Sequence, residues 1–246
     1  MKYDDIVAAI GEGAAHPGGF ESTLLLLQDY DIPIEAHILE IGCGTGKTAC
    51  HLAQLGYNVT AVDRNKTMLE KAKKRSEMLG VHVNFKVEDA TSLSFEDNQF
   101  DVVFVESVTI FNDAEAALKQ YYRVLSHGGW LYDRELYQEK RHPELIAKMS
   151  ELYGNTYLPT YGEWKQFITS AGFVDLKVWN PPQGSRSLFE TKNQNRTIDP
   201  LQIIDFDVLL DPSLPHFFEK NEAFITQFSD YLSYAVFIGQ KKIVAI

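Results

Sequence analysis

Cysteine is scarce: Cys43 and Cys50 are the only two in 246 residues. One pair cannot build the disulfide framework of a small secreted domain, so a reducing, cytoplasmic setting is expected. Long apolar runs are missing too. The first apolar stretch, residues 6–10, meets Gly11 and Glu12 before the core of a signal peptide could form, and no later run approaches the roughly 20 residues of a membrane span. Basic residues are in deficit, with 23 Lys and Arg against 34 Asp and Glu and a formal net charge of −11. That disfavours nucleic acid as a partner, because phosphate backbones are held by cationic surface. The densest basic run, Lys71, Lys73, Lys74 and Arg75, alternates with Glu70 and Glu77 on a predicted helix and reads as a solvated face. Internal repeats and low-complexity tracts are lacking, and no metal is expected.

What is present alternates. Residues 1–34 read as two short helices interrupted at 11–13 and 16–19, with Ser22 or Thr23 opening the second, and are expected to form a lid. A strand at 37–41 is followed by a helix over 46–55 closed by Gly56, then a strand at 59–63. Asn65 caps the next helix and Gly80 stops it. Strands at 81–87 and 100–105 follow, then a helix opened at 112–115, stopped by Gly128 and Gly129, and a strand at 130–136. Five alternations of strand and helix call for an α/β, Rossmann-like, doubly wound sheet with right-handed crossovers and helices on both faces. Two more helices precede a strand at 173–179. An irregular insertion near 181–212, a helix over 213–228 and a strand at 234–240 complete a core spanning 35–246.

The first strand runs directly into Gly42-Cys43-Gly44-Thr45-Gly46, a loop whose glycines let a ligand lie against the main chain ahead of a helix N-terminus. Four acids follow four successive strands: Glu40, Asp63, Asp89 and Glu106. In open α/β sheets such strand ends border the ligand crevice. A phosphate-binding P-loop requires glycine where Ile41 stands, and the dinucleotide fingerprint requires glycine where Lys47 stands. An acidic crevice also repels phosphate. A cationic nucleoside without phosphates suits it, and S-adenosylmethionine is such a ligand. Asp63 then answers the ribose diol, Asp89 and the Ala90 N–H the adenine, and Glu40 with loop carbonyls the ammonium and sulfonium. Cys43, Arg64 and Glu106 complete the cofactor-binding set with the three loop glycines.

These motifs resemble the class I S-adenosylmethionine-dependent methyltransferases, most of all the small-molecule branch of the ubiquinone and phosphoethanolamine methylases. Glu40 to Gly46 is similar to the first family motif, Asp63 with Met68 to the second, and Glu88-Asp89-Ala90 to the adenine-binding acid. Phe100-Asp101-Val102-Val103, the stretch from Arg123 to Gly129, and Ala171-Gly172-Phe173 continue the match over about residues 35–180. The resemblance implies strand order 3-2-1-4-5-7-6 with strand seven antiparallel, and methyl transfer to a small-molecule acceptor by in-line displacement. An aminopropyltransferase using decarboxylated cofactor, a non-catalytic binding module and, less favoured, an NAD-dependent dehydrogenase remain alternatives. His16, beside Pro17-Gly18-Gly19, is the candidate general base. Tyr132, Tyr137, Tyr153, Tyr157, Tyr161 and Trp164 are candidates for an acceptor pocket, and Asn180-Pro181-Pro182-Gln183 reads as a loop.

Overall fold

The computed structural model describes residues 2–154, 157–182 and 199–243. Seven strands form one sheet in the order β3-β2-β1-β4-β5-β7-β6: β1 (His37–Ile41), β2 (Asn58–Asp63), β3 (Asn84–Val87), β4 (Phe100–Glu106), β5 (Leu125–Gln138), β6 (Val174–Trp179) and β7 (Leu232–Gln240). β7 runs antiparallel to both its neighbours, β5 and β6. The expected order and the reversed last strand are both present. The helices are α1 (Tyr3–Ile10), α2 (Gly19–Asp29), α3 (Lys47–Gln54), α4 (Lys66–Leu79), α5 (Ala114–Val124), α6 (Leu145–Tyr153), α7 (Tyr161–Ser170) and α8 (Ser213–Phe228). Among the described residues no helix is long and apolar enough to cross a membrane.

The central strands read as nearly continuous apolar runs because both faces are covered, and alternate residues go to opposite cores. Leu39, Ile41, Val103, Val105, Leu131 and Phe237 face α5 and α7, meeting Leu118, Tyr121, Trp164 and Ile168. Ile38, Val102, Phe104, Val236 and Ile238 face the other way, meeting Leu26 of α2, Cys50 and Leu52 of α3 and Leu69 of α4. The helix ends follow local chemistry. Asn65 Oδ1 accepts from the N–H groups of Thr67 (2.9 Å) and Met68 (3.2 Å) at the start of α4, and Thr160 and Glu163 make a reciprocal capping box on α7.

Several local expectations shift. β3 is confined to Asn84–Val87, and the helix after β4 is capped by Asp113, which accepts from Ala116 N. β5 begins at Leu125, where α5 ends, so Gly128 and Gly129 do not stop a helix. They belong to a bulge in which residues 125–130 lie opposite 100–102. α2 starts at Gly19, which puts Ser22 and Thr23 inside the helix, both buried against the sheet. Lys71 and Arg75 are not solvated: their relative exposures are 4% and 3%, whereas Lys73 and Lys74 face out. Of the expected insertion near 181–212, residues 183–198 lie outside the described residues. Its end, from Asp199, crosses α1 and α4 before a short 3-10 helix at Phe206–Leu210.

At the β1–α3 turn, Gly42 has φ +71°, and a Cβ there would lie 2.2 Å from Val108 Cγ2. Gly42→Ala therefore combines a left-handed backbone cost of about 1–2 kcal/mol with an overpacking cost of about 1–3 kcal/mol. The expected result in urea unfolding is a loss of about 2–5 kcal/mol at unchanged m-value. A loss below about 1 kcal/mol would show that Val108 yields freely.

Candidate cofactor site

A cavity of about 470 Å³ opens at the carboxyl ends of β1, β2 and β4. Its floor is the glycine loop with Glu40, Gly42, Cys43 and Gly44. One flank is Asp63, Arg64, Met68, Glu88 and Ala90, and another is Glu106, Ser107, Val108 and Phe111. Tyr3, Asp4, Asp5 and Val7 of α1, with Glu12, Gly13 and His16, wall it from above. Gly44 has φ +53° and an added Cβ would meet nothing within 4 Å, so the loop backbone is open to a ligand there. Gly46 is a different kind of glycine. It lies outside the cavity wall, where a Cβ would come within 2.9 Å of Ala72 Cβ, and so permits close packing of the loop on α4.

The acids are arranged unequally. Asp63 pins the loop: its Oδ2 accepts from Gly44 N at 2.9 Å and its Oδ1 from Asn65 N at 2.8 Å. Each oxygen keeps a further lone pair for a ligand hydroxyl. Burial raises its pKa above the ordinary carboxylate value, and those two N–H groups partly offset the rise. Glu40 is buried, and its pKa is pushed well above the ordinary value by desolvation, then by repulsion from Glu106 and Asp63. Its Oε2 has no hydrogen-bond partner among the described residues. Asp89 lies outside the wall. Its carboxylate accepts from the Thr91 N–H and hydroxyl, which hold its pKa low, while neighbouring Glu88 and Ala90 line the cavity. Arg64 pairs with Asp4 at 2.5 Å on the rim. The Cys43 thiol is driven up by burial and so stays protonated.

Glu106 is a junction. Its Oε1 accepts from Thr23 Oγ1 (2.6 Å) and Arg134 Nε (3.0 Å), and its Oε2 accepts from Thr48 Oγ1 (2.9 Å) and stands 3.5 Å from His16 Nε2. Burial raises its pKa, but these neighbours more than offset that and leave it below the ordinary value. His16 is itself buried and its pKa is lowered by desolvation, so it is neutral at neutral pH, whereas Arg134 beside Glu106 keeps a fixed charge. His16 is thus no solvent-facing loop residue. The aromatic candidates go elsewhere: Tyr137, Tyr161 and Trp164 pack in or against the core, Tyr132 packs against Tyr30 and Phe104, Tyr157 is exposed, and Tyr153 meets Tyr3 edge-to-face.

The methyltransferase domain family matches residues 39–133. An uncharacterized methyltransferase of Bacillus subtilis, YodH, is 30% identical over 241 residues, covering 98% of this chain and 99% of its own. The chain belongs to the class I S-adenosylmethionine-dependent methyltransferases. The ubiquinone/menaquinone C-methyltransferase UbiE of Zymomonas mobilis is 32% identical over 166 residues, 58% of this chain and 69% of its own. Among solved structures, a Haemonchus contortus phosphoethanolamine N-methyltransferase 2, in complex with phosphomonomethylethanolamine and S-adenosylhomocysteine, superposes with a TM-score of 0.77 at 22% identity. The match covers 98% of this chain and 58% of that one. The [4+2]-cyclase SpnF shares the fold with a TM-score of 0.74 at 18% identity, over 98% of this chain and 94% of its own. The fold therefore hosts chemistry other than methyl transfer.

Behind the cavity lies a second charged cluster, set in mid-strand rather than at a strand end. β5 carries Asp133, Arg134 and Glu135 in its middle, all with zero exposure. Arg134 points to α2 and donates to Ser22 Oγ (2.7 Å) as well as to Glu106, with the rings of Trp179 and Tyr234 beside it. Asp133 and Glu135 project to the opposite face. Glu135 Oε1 accepts from Val108 N (3.1 Å) and Thr109 N (2.8 Å), and Thr109 Oγ1 donates to Asp133 (3.0 Å). The acid pair thus fixes the turn after β4 that supplies Val108 and Phe111 to the cavity. Three consecutive charges inside an apolar strand are the signal that marks these residues.

Burial raises Asp133 to about 7 and Glu135 well above its ordinary 4.5. In the window between the ordinary glutamate pKa and the raised folded one, the unfolded chain has lost the Glu135 proton while the folded one keeps it, so this group lowers stability as pH rises. Glu135→Gln removes the titration and keeps a neutral side chain. Urea unfolding should show the variant gaining on wild type by up to about 1.4 kcal/mol per pH unit across that window. A pH-independent difference would show that Glu135 is ionised in the fold.

Proposed function

We propose that the cavity between the glycine loop and α1 holds S-adenosylmethionine and a small uncharged or cationic methyl acceptor. The observation that carries this reading is the acid surplus of the wall. Asp4, Asp5, Glu12, Glu40, Asp63, Glu88 and Glu106 face it, against Lys2 and the already paired Arg64 among the described residues. Such a wall attracts cations and opposes phosphate. When bound, S-adenosylmethionine supplies a methyl group activated by its sulfonium. Asp63 receives the ribose diol, the 88–90 segment and Met68 flank the adenine, and the unpartnered Oε2 of Glu40 suits an ammonium group. The protein's main work is alignment and exclusion of water, because the leaving group arrives activated. For a hydroxyl acceptor, His16 is the group to take the proton, with Glu106 beside it to stabilise the imidazolium. The same acid surplus argues against a phosphomonoester acceptor.

Thermal-shift titration separates this reading from its rivals: S-adenosylhomocysteine should stabilise the protein, and stabilisation by NADH or ATP alone would sink it. Asp63→Ala removes a charged hydrogen-bond partner and should weaken S-adenosylhomocysteine binding by about 1–3 kcal/mol in calorimetry. Unchanged affinity would remove Asp63 from the site.

A further inference from the structure

Lys71 and Arg75 stand one helical turn apart on the buried face of α4, and their charged ends are held by hydrogen bonds and ion pairs. Lys71 Nζ donates to the carbonyls of Ala8 (2.6 Å) and Ala9 (3.1 Å) and pairs with Asp205 at 3.0 Å. Those carbonyls lie at the C-terminal end of α1, where backbone acceptors lack intrahelical donors and the helix dipole is negative. Arg75 Nε donates to Thr45 O of the glycine loop at 2.9 Å, and its two other nitrogens form a fork on the carboxylate of Asp199 at 3.2 and 2.8 Å.

The segment from Asp199 to Asp205 closes the circuit. Asp205 N donates to Ala9 O at 2.8 Å and Gln202 Nε2 to Ile10 O at 2.8 Å. Ile203 O lies so close to Gly11 that a Cβ there would sit 2.1 Å away. Lys47, in the first turn of α3, adds a cation 3.7 Å from Asp199. α1, residues 199–205, α4 and the glycine loop are thus joined in one ring of charged and backbone hydrogen bonds. Burying two cations is costly unless all their donors are engaged, so such a ring is specific rather than incidental.

We propose that Lys71 and Arg75 are positioning residues for cofactor retention: they clasp α1 and the 199–205 segment over the glycine loop, and cofactor exchange requires that clasp to open. The consequence for binding rests on the reading of the cavity as the S-adenosylmethionine site. α1 supplies Tyr3, Asp4 and Val7 to the wall, so lifting α1 widens the way out for a cofactor seated on Gly44. A polar clasp suits a part that must open in each cycle, since its bonds can be exchanged for water, and the half-exposed Asp205 makes it sensitive to salt.

The test works from the segment side, where α4 and the core stay intact. Asp199→Asn with Asp205→Asn should speed amide hydrogen exchange of residues 3–10 in the ligand-free protein and accelerate S-adenosylhomocysteine release about tenfold in stopped-flow competition. The melting temperature should move by only a few degrees. Arg75→Lys keeps the charge but loses the fork, and should fall between wild type and the double variant. Raising the salt concentration on wild type should likewise speed release. Exchange in 3–10 as slow as in wild type, or an unchanged release rate, overturns the clasp. If wild type binds no S-adenosylhomocysteine, the cofactor reading fails while the exchange arm still decides whether the clasp exists.

Discussion

The carboxylate of Glu106 receives α2 through Thr23, α3 through Thr48, β5 through Arg134, and faces His16 of the segment before α2. Those contacts place one buried charge at the centre of the sheet's carboxyl edge, beside the ligand cavity. A carboxylate whose side chain is only 7% exposed is tolerable only with a full set of donors. The need runs both ways, since Arg134 has no exposure at all and takes its counter-charge from Glu106. Removing either partner would strand a charge in the interior, at a cost of about 3–5 kcal/mol by the usual scale for broken buried pairs. The position of α2 against the sheet, the tilt of the glycine loop and the seat of His16 are therefore not independent features.

The element boundaries around the first two crossovers were readable in sequence because short-range chemistry encodes them, whereas the sheet order followed from the family resemblance. Asn65 can cap, Gly80 can take φ +65°, and β1, β2 and β4 are apolar on both faces because helices cover both. The three loop glycines were readable as a set, but their separate duties were not. Gly42 yields to Val108, Gly44 leaves open space and Gly46 yields to Ala72, and each neighbour comes from a distant part of the chain. The same limit explains Ser22 and Thr23, which have the local character of a helix cap. A tertiary demand, the donors that Glu106 and Arg134 require, keeps them inside α2. Asp89 differs, since its donors are on Thr91, only two residues along.

Charge pattern misled where burial reversed its meaning. Lys71, Lys73, Lys74 and Arg75 look like one solvated run, yet the helical period divides them. The i and i+4 pair turns inward to α1 and Asp199, and the middle two turn to water. Aromatic clustering misled in the opposite direction, because Tyr137, Tyr161 and Trp164 are drawn into the core by area alone. The polar atom of Trp164 finds a partner there, its Nε1 donating to Leu136 O at 2.8 Å.

Acids gathered at one edge pay for their proximity in protonation. Glu40, deep between Glu106 and Asp63, is driven toward its neutral form, while Glu106 with its donors remains charged. In the proposed site a cationic ligand would reverse the balance at Glu40 by supplying an opposite charge that favours the ionised carboxylate, with release of a proton. An anionic ligand would deepen the repulsion instead. In the proposed site, discrimination between a sulfonium nucleoside and a nucleotide would thus rest less on the glycine loop, which either could approach, than on the acid cluster around Glu40.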